Sequence, residues 1–225
     1  MTNFDELVAD NARFARTDAK NRVPQIPFVP NKQVYIITCI DPRVDPADIF
    51  GLTLGDAIVA RNVGGRVTDS VLDDLAWISY LHEVKTPDTP WFEIAVVHHT
   101  DCGSALMADD ELRSGFVARG FDDQDLLRTA VTDPARTVPL DVERILDSKT
   151  ASGDIVVSGY VYDIRTGLVT QVAPFRQRRD SMTTQVQATP LSGEITKRRA
   201  WDSNRRGRFR PAVFKPTAGR PRGVS

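Results

Sequence analysis

Two apolar runs of this chain end in reactive side chains, and this pattern limits the folds that the chain can adopt. The first run ends in Cys39, Asp41 and Arg43, and the second in His99 and Cys102. These sites use both cysteines of the chain and one of its three histidines. In open α/β sheets, ligands bind at the carboxyl ends of the strands. If the two runs are neighbouring parallel strands, we expect Cys39, His99 and Cys102 to converge, with Asp41 beside them.

The spacing at the end of the first run predicts a shared face. Side chains along a strand alternate between its two faces, so Cys39, Asp41 and Arg43 would point the same way if strand geometry persists through Ile40. Pro42 has no N–H group to donate to a sheet, so the strand should end there. A thiol, a carboxylate and a guanidinium would then be presented together.

The rest of the pattern predicts an α/β fold, with a mostly parallel central sheet flanked by helices and an amphipathic helical arm over residues 4–17. Strands are predicted to end at Cys39 and to cover 57–61, 91–98 and 154–163, with 168–172 pairing back after a turn at 165–167. A short helix is predicted to begin at Asp45-Pro46, and a long one to run from Thr68 or Asp69 to about Val84. Three further helices are predicted over 105–118, 123–132 and 138–149. Pro139 would open the last of them.

Length and composition exclude several classes of protein. With 225 residues and 25.0 kDa, the chain suits one domain with a substantial core. No apolar run reaches the roughly 20 residues that span a bilayer, and we see no secretory signal near Met1. Two cysteines in a chain of this length do not form a disulfide framework. We therefore expect a cytoplasmic protein that does not associate with a membrane.

Charge divides the chain into an acidic body and a basic tail. Residues 175–225 contain 13 Lys/Arg and 3 Asp/Glu, whereas the other 174 residues contain 16 and 27, although the net charge is only -1. Hydrophobic periodicity stops at the start of this tail, and such a segment buries too little apolar surface to offset its ordering entropy. We predict a folded domain over residues 1–174 and a largely irregular basic extension over residues 175–225.

Three segments of the chain resemble the β-class carbonic anhydrases over roughly residues 1–173. They are, in chain order, Cys39-x-Asp41-x-Arg43, Arg61-Asn62-Val63-Gly64-Gly65 and His98-His99-Thr100-Asp101-Cys102-Gly103. The residues of the third segment are similar to those of a small microbial subgroup of this family, which also includes carbonyl sulfide hydrolases. Either of the outer motifs alone is a weak signal, whereas the two in this order, between strands, are a strong one.

The resemblance implies a zinc enzyme that hydrates carbon dioxide to bicarbonate by a metal-bound hydroxide. Its ligands would be Cys39, His99 and Cys102, because thiolate and imidazole suit zinc and a catalytic site keeps its fourth position open. Arg43 would hold Asp41 off the metal, so that Asp41 accepts a hydrogen bond from the zinc-bound water. The resemblance also implies a homodimer or tetramer, in which the N-terminal arm of one subunit wraps around a second subunit.

By the same resemblance, the N–H group of Gly103 would bind a substrate oxygen, and the turn at Gly64 and Gly65 would lie against the substrate pocket. A plain tight turn is an equally good interpretation of these two glycines. His98 is a second candidate ligand, although packing or hydrogen bonding near the site suits it better. His82 is expected to be structural or solvated.

The residues alone are also compatible with less specific roles and with different substrates. The cysteines can be small buried hydrophobes, Asp41 and Arg43 an ordinary surface ion pair, and Asp41 can also close the metal site. Carbonyl sulfide or carbon disulfide can replace carbon dioxide, since all three are linear and carbon-centred. A more remote possibility is a non-catalytic zinc protein that binds nucleic acid through the basic residues of 197–210. The tail can also fold over the acidic body.

Overall fold

The computed structural model describes residues 3–18, 28–151 and 153–178. The helices of this part are α1 (Asn3–Phe14), α2 (Pro46–Phe50), α3 (Asp69–Lys85), α4 (Asp110–Val117), α5 (Asp123–Thr129) and α6 (Pro134–Asp147). The strands are β1 (Val34–Cys39), β2 (Ala57–Asn62), β3 (Glu93–His99), β4 (Val156–Tyr162) and β5 (Val169–Gln177). The segment 179–225, with its predicted nucleic-acid-binding stretch, lies outside the described residues.

The strands form one sheet in the order β2-β1-β3-β4-β5, which confirms the predicted α/β fold. Neighbouring strands from β2 to β4 are parallel, and β5 returns antiparallel to β4 after the predicted turn. β1 and β3 are direct neighbours, with Thr38 opposite Val97. Their carboxyl ends therefore lie side by side, at the centre of the row of strand ends. β5 continues to Gln177, past the residue at which the sequence predicts the tail to begin.

Local sequence explains where the helices on either side of β2 begin. Asp45 accepts a hydrogen bond from the Ala47 N–H group, and Pro46 is the first residue of α2, as predicted. Thr68 caps α3 by accepting from the Val71 N–H group. These caps satisfy backbone donors that have no partner within the helix.

Two helix predictions need correction. α6 begins at Pro134 behind the capping residue Asp133, so Pro139 lies inside the helix and does not open it. The loss of one backbone hydrogen bond at Pro139 is offset because α6 buries an apolar face that includes Val138. The helix predicted over 105–118 is two elements, a 3-10 turn at Gly103–Ala108 and then α4, which begins after its own cap Asp109.

The core lies between the sheet and helices α3 and α6. Ile37 and Val96 from the central strands and Ile145 from α6 are fully buried in it. α6 approaches β4 closely at Gly159, where a Cβ atom would collide with the Val138 side chain. This close approach places the buried face of α6 next to the end of β3.

Outside the core, α1 is exposed along its whole described length. Its apolar residues Phe4, Leu7, Val8 and Phe14 are 68%, 57%, 55% and 43% exposed. Among the described residues, no helix combines the length and the apolar character that crossing a membrane requires.

Candidate metal centre

The ends of β1 and β3 bring Cys39, His99 and Cys102 together. One ligand atom from each of these residues lies within 4.8 Å of the others, and the two sulfur atoms are 3.8 Å apart. All three side chains are buried, with relative exposures of 4%, 0% and 5%. The structure thus forms the cluster that the sequence predicts, although the two cysteines are 63 positions apart.

The ring of His99 is oriented as metal-ligating histidines are. Its Nδ1 atom lies 2.9 Å from the carbonyl oxygen of Thr100, which accepts a hydrogen bond from that nitrogen. Its Nε2 atom is buried and has no hydrogen-bond partner among the described residues. A buried nitrogen without a partner is costly, and a metal ion bound in the cluster would remove that cost.

The contact between the two thiols moves their pKa values in opposite directions. Their mutual hydrogen bond, together with burial, raises the pKa of the Cys39 thiol, and the same bond lowers the pKa of the Cys102 thiol. Without a cation, one thiolate is therefore easy to form and a second is difficult. A divalent metal ion supplies the positive charge that allows both sulfurs to ionise.

Sulfur and imidazole ligands at this spacing fit zinc. Two thiolates on one tetrahedral zinc, each about 2.3 Å from the metal, would lie about 3.8 Å apart. The observed separation of the sulfurs of Cys39 and Cys102 agrees with that value. The residues therefore suit a zinc ion with three protein ligands.

Asp41 lies beside the cluster, and Arg43 holds its carboxylate. The Arg43 guanidinium donates from Nε to Oδ1 at 2.9 Å and from Nη2 to Oδ2 at 2.7 Å. Asp41 Oδ2 is 3.9 Å from His99 Nε2, so the carboxylate borders the cluster without entering it. The hydrogen bonds from Arg43 lower the pKa of Asp41 to about 2. Asp41 is therefore ionised at neutral pH.

A turn brings these groups together, because strand geometry does not persist through Ile40; the predicted end of the strand at Cys39 is confirmed. β1 ends at Cys39, and the Arg43 N–H group donates to Asp41 Oδ1 at 2.9 Å, which closes a tight turn around Pro42. The Asp41 N–H group lies 3.4 Å from the Cys39 sulfur. Arg61 fastens the same loop by donating to the carbonyl oxygens of Cys39 and Asp41.

Asp101 connects the second loop to Arg43. Arg43 Nη1 donates to Asp101 Oδ2 at 2.8 Å, and Nη2 donates to the Asp101 carbonyl oxygen at 2.9 Å. Asp101 has a φ of 55°, in the left-handed region that non-glycine residues rarely adopt. Arg43 thus joins the loop after β1 to the loop after β3.

The turn at Gly64 and Gly65 packs on the backbone of β1. A Cβ atom at Gly65 would lie 2.8 Å from the Cys39 backbone nitrogen, and φ is 67° at this residue. Asn62 closes the turn by exchanging two hydrogen bonds with the backbone of Arg66. Gly65 therefore allows the turn to approach the backbone of Cys39 closely, which is more than a plain turn requires.

A buried ion pair supports the turn from behind. Arg66 donates to both carboxylate oxygens of Asp141, at 2.7 and 3.0 Å, and the Val67 N–H group donates to the same carboxylate. His98 Nε2 lies 3.1 Å from Asp141 and 3.2 Å from the Gly65 carbonyl oxygen. Its Nδ1 atom lies 2.7 Å from the Thr137 hydroxyl group. His98 therefore helps to hold the turn in place. Both of its ring nitrogens are occupied by hydrogen-bond partners, so His98 is not placed to bind a metal ion.

Ser104 and Gly103 follow Cys102 directly. Ser104 Oγ is 3.2 Å from the Cys102 sulfur, and Gly103 opens the 3-10 turn with open space where its Cβ atom would be. The first N–H groups of such a turn have no partner within it. Gly103 is therefore able to offer an N–H group to a ligand. His82, in contrast, is buried in α3 and stacks on Trp91, which is a structural role.

Sequence reasoning missed Ser104, Arg66 and Asp141. Proximity to Cys102 was a usable signal for Ser104. No signal pointed to Arg66 and Asp141, because they lie 75 positions apart in different elements.

Comparison with known proteins agrees with this geometry. A family model described as carbonic anhydrase matches residues 34–128. The carbonic anhydrase from Streptococcus mutans, a solved structure, is 33% identical and superposes with a TM-score of 0.60, covering 76% of this chain and 98% of that one. The chain belongs to the β-class carbonic anhydrase family.

Curated relatives include two kinds of enzyme. Beta-carbonic anhydrase 1 of Mycobacterium tuberculosis is 29% identical over 77% of this chain and 100% of the relative. The carbon disulfide hydrolase of Acidianus sp. is 26% identical over 66% of this chain and 80% of the relative. These relatives support an enzymatic activity for this chain.

Proposed function

We propose that this protein hydrates carbon dioxide to bicarbonate at a zinc ion held by Cys39, His99 and Cys102. One observation carries the proposal: three buried ligand atoms converge while Arg43 keeps the neighbouring carboxylate of Asp41 away from them. A structural zinc site has four protein ligands, whereas a catalytic site leaves one position open. The arrangement supports the catalytic kind.

Each residue beside the cluster has a distinct task in this proposal. When bound, zinc supplies a Lewis acid that lowers the pKa of coordinated water toward neutrality. Asp41, ionised because Arg43 lowers its pKa to about 2, accepts a hydrogen bond and so orients the attacking water. Gly103 offers an N–H group to a substrate oxygen. The slight exposure of Cys39 and Cys102, 4% and 5%, suits a small linear substrate.

The second candidate reaction is hydrolysis of carbonyl sulfide or carbon disulfide to hydrogen sulfide and carbon dioxide. The similarity to the carbon disulfide hydrolase of Acidianus sp. favours it. The Mycobacterium tuberculosis carbonic anhydrase matches a larger share of this chain, and we therefore place carbon dioxide first. The three substrates are linear molecules with an electrophilic carbon, so the same residues would serve each of them.

Two assays on one preparation distinguish the substrates. Proton release from carbon dioxide is measured in parallel with hydrogen sulfide release from carbonyl sulfide and carbon disulfide. We expect a higher kcat/KM for carbon dioxide. A higher value for either sulfur compound would reverse the assignment.

Replacing a ligand tests the metal site itself. Cys102→Ser should abolish zinc binding and activity together, because the site would lose one of its three ligands. Zinc is measured by elemental analysis, and circular dichroism checks that the variant is folded. A folded, metal-free variant with full activity would refute the site.

We also propose that the protein works as a homodimer or tetramer in a reducing, cytoplasmic environment. The exposed apolar face of α1, formed by Phe4, Leu7, Val8 and Phe14, supports contact with a second copy. The two free cysteines suit a reducing compartment. Leu7→Glu should shift the mass in sedimentation toward the monomer, and an unchanged mass would remove α1 from the interface.

A further inference from the structure

Ser104 occupies a buried position between a ligand and the backbone of a neighbouring segment. It is 4% exposed and lies in the 3-10 turn that follows Cys102. Its Oγ atom is 3.2 Å from the Cys102 sulfur and 3.2 Å from the Val131 backbone nitrogen. Val131 belongs to the same small apolar cluster as Cys39 and Cys102.

The direction of these hydrogen bonds follows from the donors available. The Val131 N–H group donates to Ser104 Oγ, because a backbone nitrogen cannot accept. The hydroxyl proton of Ser104 is then available for the Cys102 sulfur. Once Cys102 is ionised it has no proton of its own, so the bond between them runs from the hydroxyl group to the thiolate.

Close packing fixes the hydroxyl group in this position. A Cβ atom at Gly64 would lie 2.9 Å from Ser104 Oγ, so the absence of a side chain at Gly64 leaves room for the hydroxyl group. The bond from Val131 removes its remaining freedom to turn toward the backbone. Ser104 therefore presents its proton to Cys102 without an ordering cost when a metal ion binds.

Cys39 differs from Cys102 in this respect. A backbone donor, the Asp41 N–H group at 3.4 Å, approaches its sulfur. The hydroxyl group of Ser104 that donates to Cys102 belongs to a side chain, so a substitution can remove it.

We propose that Ser104 tunes the metal centre by donating a hydrogen bond to the Cys102 thiolate, which reduces the electron density that this sulfur gives to the metal ion. A thiolate that gives less density leaves the metal a stronger Lewis acid. Two thiolates cancel the charge of a divalent ion and so weaken it as a Lewis acid. The hydrogen bond from Ser104 offsets part of this weakening. The inference rests on the proposed function, and it makes Ser104 a positioning residue that acts through Cys102.

Cobalt substitution tests the inference through a spectroscopic signature. In Ser104→Ala, the sulfur-to-cobalt charge-transfer band should move to longer wavelength, because a thiolate without its hydrogen bond gives up an electron more easily. Ser104→Thr keeps the hydroxyl group and should retain the wild-type band. Ser158→Ala removes a buried hydroxyl group on β4, outside the site, and should leave the band unchanged.

Activity of the zinc proteins provides a second readout. The kcat/KM of Ser104→Ala should fall by about 10-fold, the scale on which residues that support metal ligands act. Ser104→Thr should recover most of this loss. Should the alanine variant fail to fold, Ser104→Gly, which also lacks the hydroxyl group, takes its place in both measurements.

The outcomes separate this inference from the proposed function. A wild-type protein that binds cobalt without any thiolate band would overturn both, since the cysteines would not be ligands. A thiolate band that has the same wavelength in the wild type and in the hydroxyl-free variants would overturn the role of Ser104 alone.

Discussion

Two arginine–aspartate pairs lie near the candidate metal centre, with similar two-pronged hydrogen bonding and different surroundings. Arg43 and Asp41 lie at the outer side, where their side chains are 48% and 11% exposed. Arg66 and Asp141 lie behind the turn at Gly64 and Gly65, where the exposures are 12% and 3%. The same hydrogen-bonding chemistry therefore acts once at the boundary with solvent and once in the interior.

Burial decides what each pair can do. An exposed pair is screened by water and adds little to stability, so it remains free to rearrange beside a reacting group. A buried pair is difficult to separate, because the charge left behind has no water to solvate it. We infer that the outer pair serves the reaction, and that the inner pair keeps the turn, and with it the backbone of Cys39, in place.

Breaking the inner pair should have the largest effect. Asp141→Asn leaves Arg66 buried with a neutral partner, and we expect a loss of about 3–5 kcal/mol in the free energy of unfolding. Urea unfolding of the metal-free protein at pH 7 measures this loss. A loss below about 1 kcal/mol would show that burial does not increase the contribution of this pair to the free energy of unfolding.

The pH dependence of that loss sharpens the test. Burial alone raises the pKa of Asp141, but hydrogen bonds from His98 and Arg66 lower it overall. A carboxyl group with a lowered folded pKa contributes its stability above its unfolded value of about 3.9 and loses it as the pH falls through the folded value. The difference in stability between the wild type and Asp141→Asn should therefore be constant near neutrality and shrink below about pH 4.

Breaking the outer pair should affect activity much more than stability. Arg43→Ala frees Asp41, whose carboxylate is 3.9 Å from His99 Nε2, to move onto the metal position. We expect kcat/KM for carbon dioxide to fall by about 10- to 100-fold with little change in the urea midpoint.

A matched control for the outer pair is Arg176→Ala. Arg176 also pairs with a carboxylate, Glu143, and is 42% exposed, but it lies outside the site. It should leave activity unchanged. If both variants lose activity equally, position beside the metal centre has no bearing on the effect.

The smallest effect is expected at Asp101. Asp101→Asn keeps the carbonyl oxygen that Arg43 uses and tolerates the φ of 55°, but it removes the negative charge that holds Nη1. We expect a loss of on the order of two- to five-fold in kcat/KM, since the pair is exposed to solvent. The loss should shrink in the Asp41→Asn background, where Arg43 has no carboxylate left to position.

The sequence predicted the outer pair and failed to predict the inner one for a physical reason. Asp41 and Arg43 are two positions apart, so local geometry alone brings them together. Arg66 and Asp141 meet only because α6 packs against the sheet, and the sequence near either residue does not predict that contact. The convergence of Cys39, His99 and Cys102 was predictable because apolar runs mark strands, and parallel strands place their ends at one edge.

One further error of prediction and one unmet condition have the same origin. Pro139 was expected to open a helix from its local preference alone, whereas the cap at Asp133 and the buried face of α6 extend that helix further back. The condition that strand geometry persists through Ile40 was likewise local, and it is not met, because the side chain of Asp41 accepts from the Arg43 N–H group and closes a turn.

The parallel order of β1 and β3 has a consequence for how the chain is held together. The proposed ligands Cys39 and Cys102 stand 63 positions apart, one at the end of β1 and the other on the loop that follows the adjacent strand β3. An ion bound by both would tie these loops as a disulfide does, yet it could be withdrawn by a chelator without any redox chemistry. Resistance to proteolysis at this edge of the sheet would then follow the supply of zinc in the surroundings.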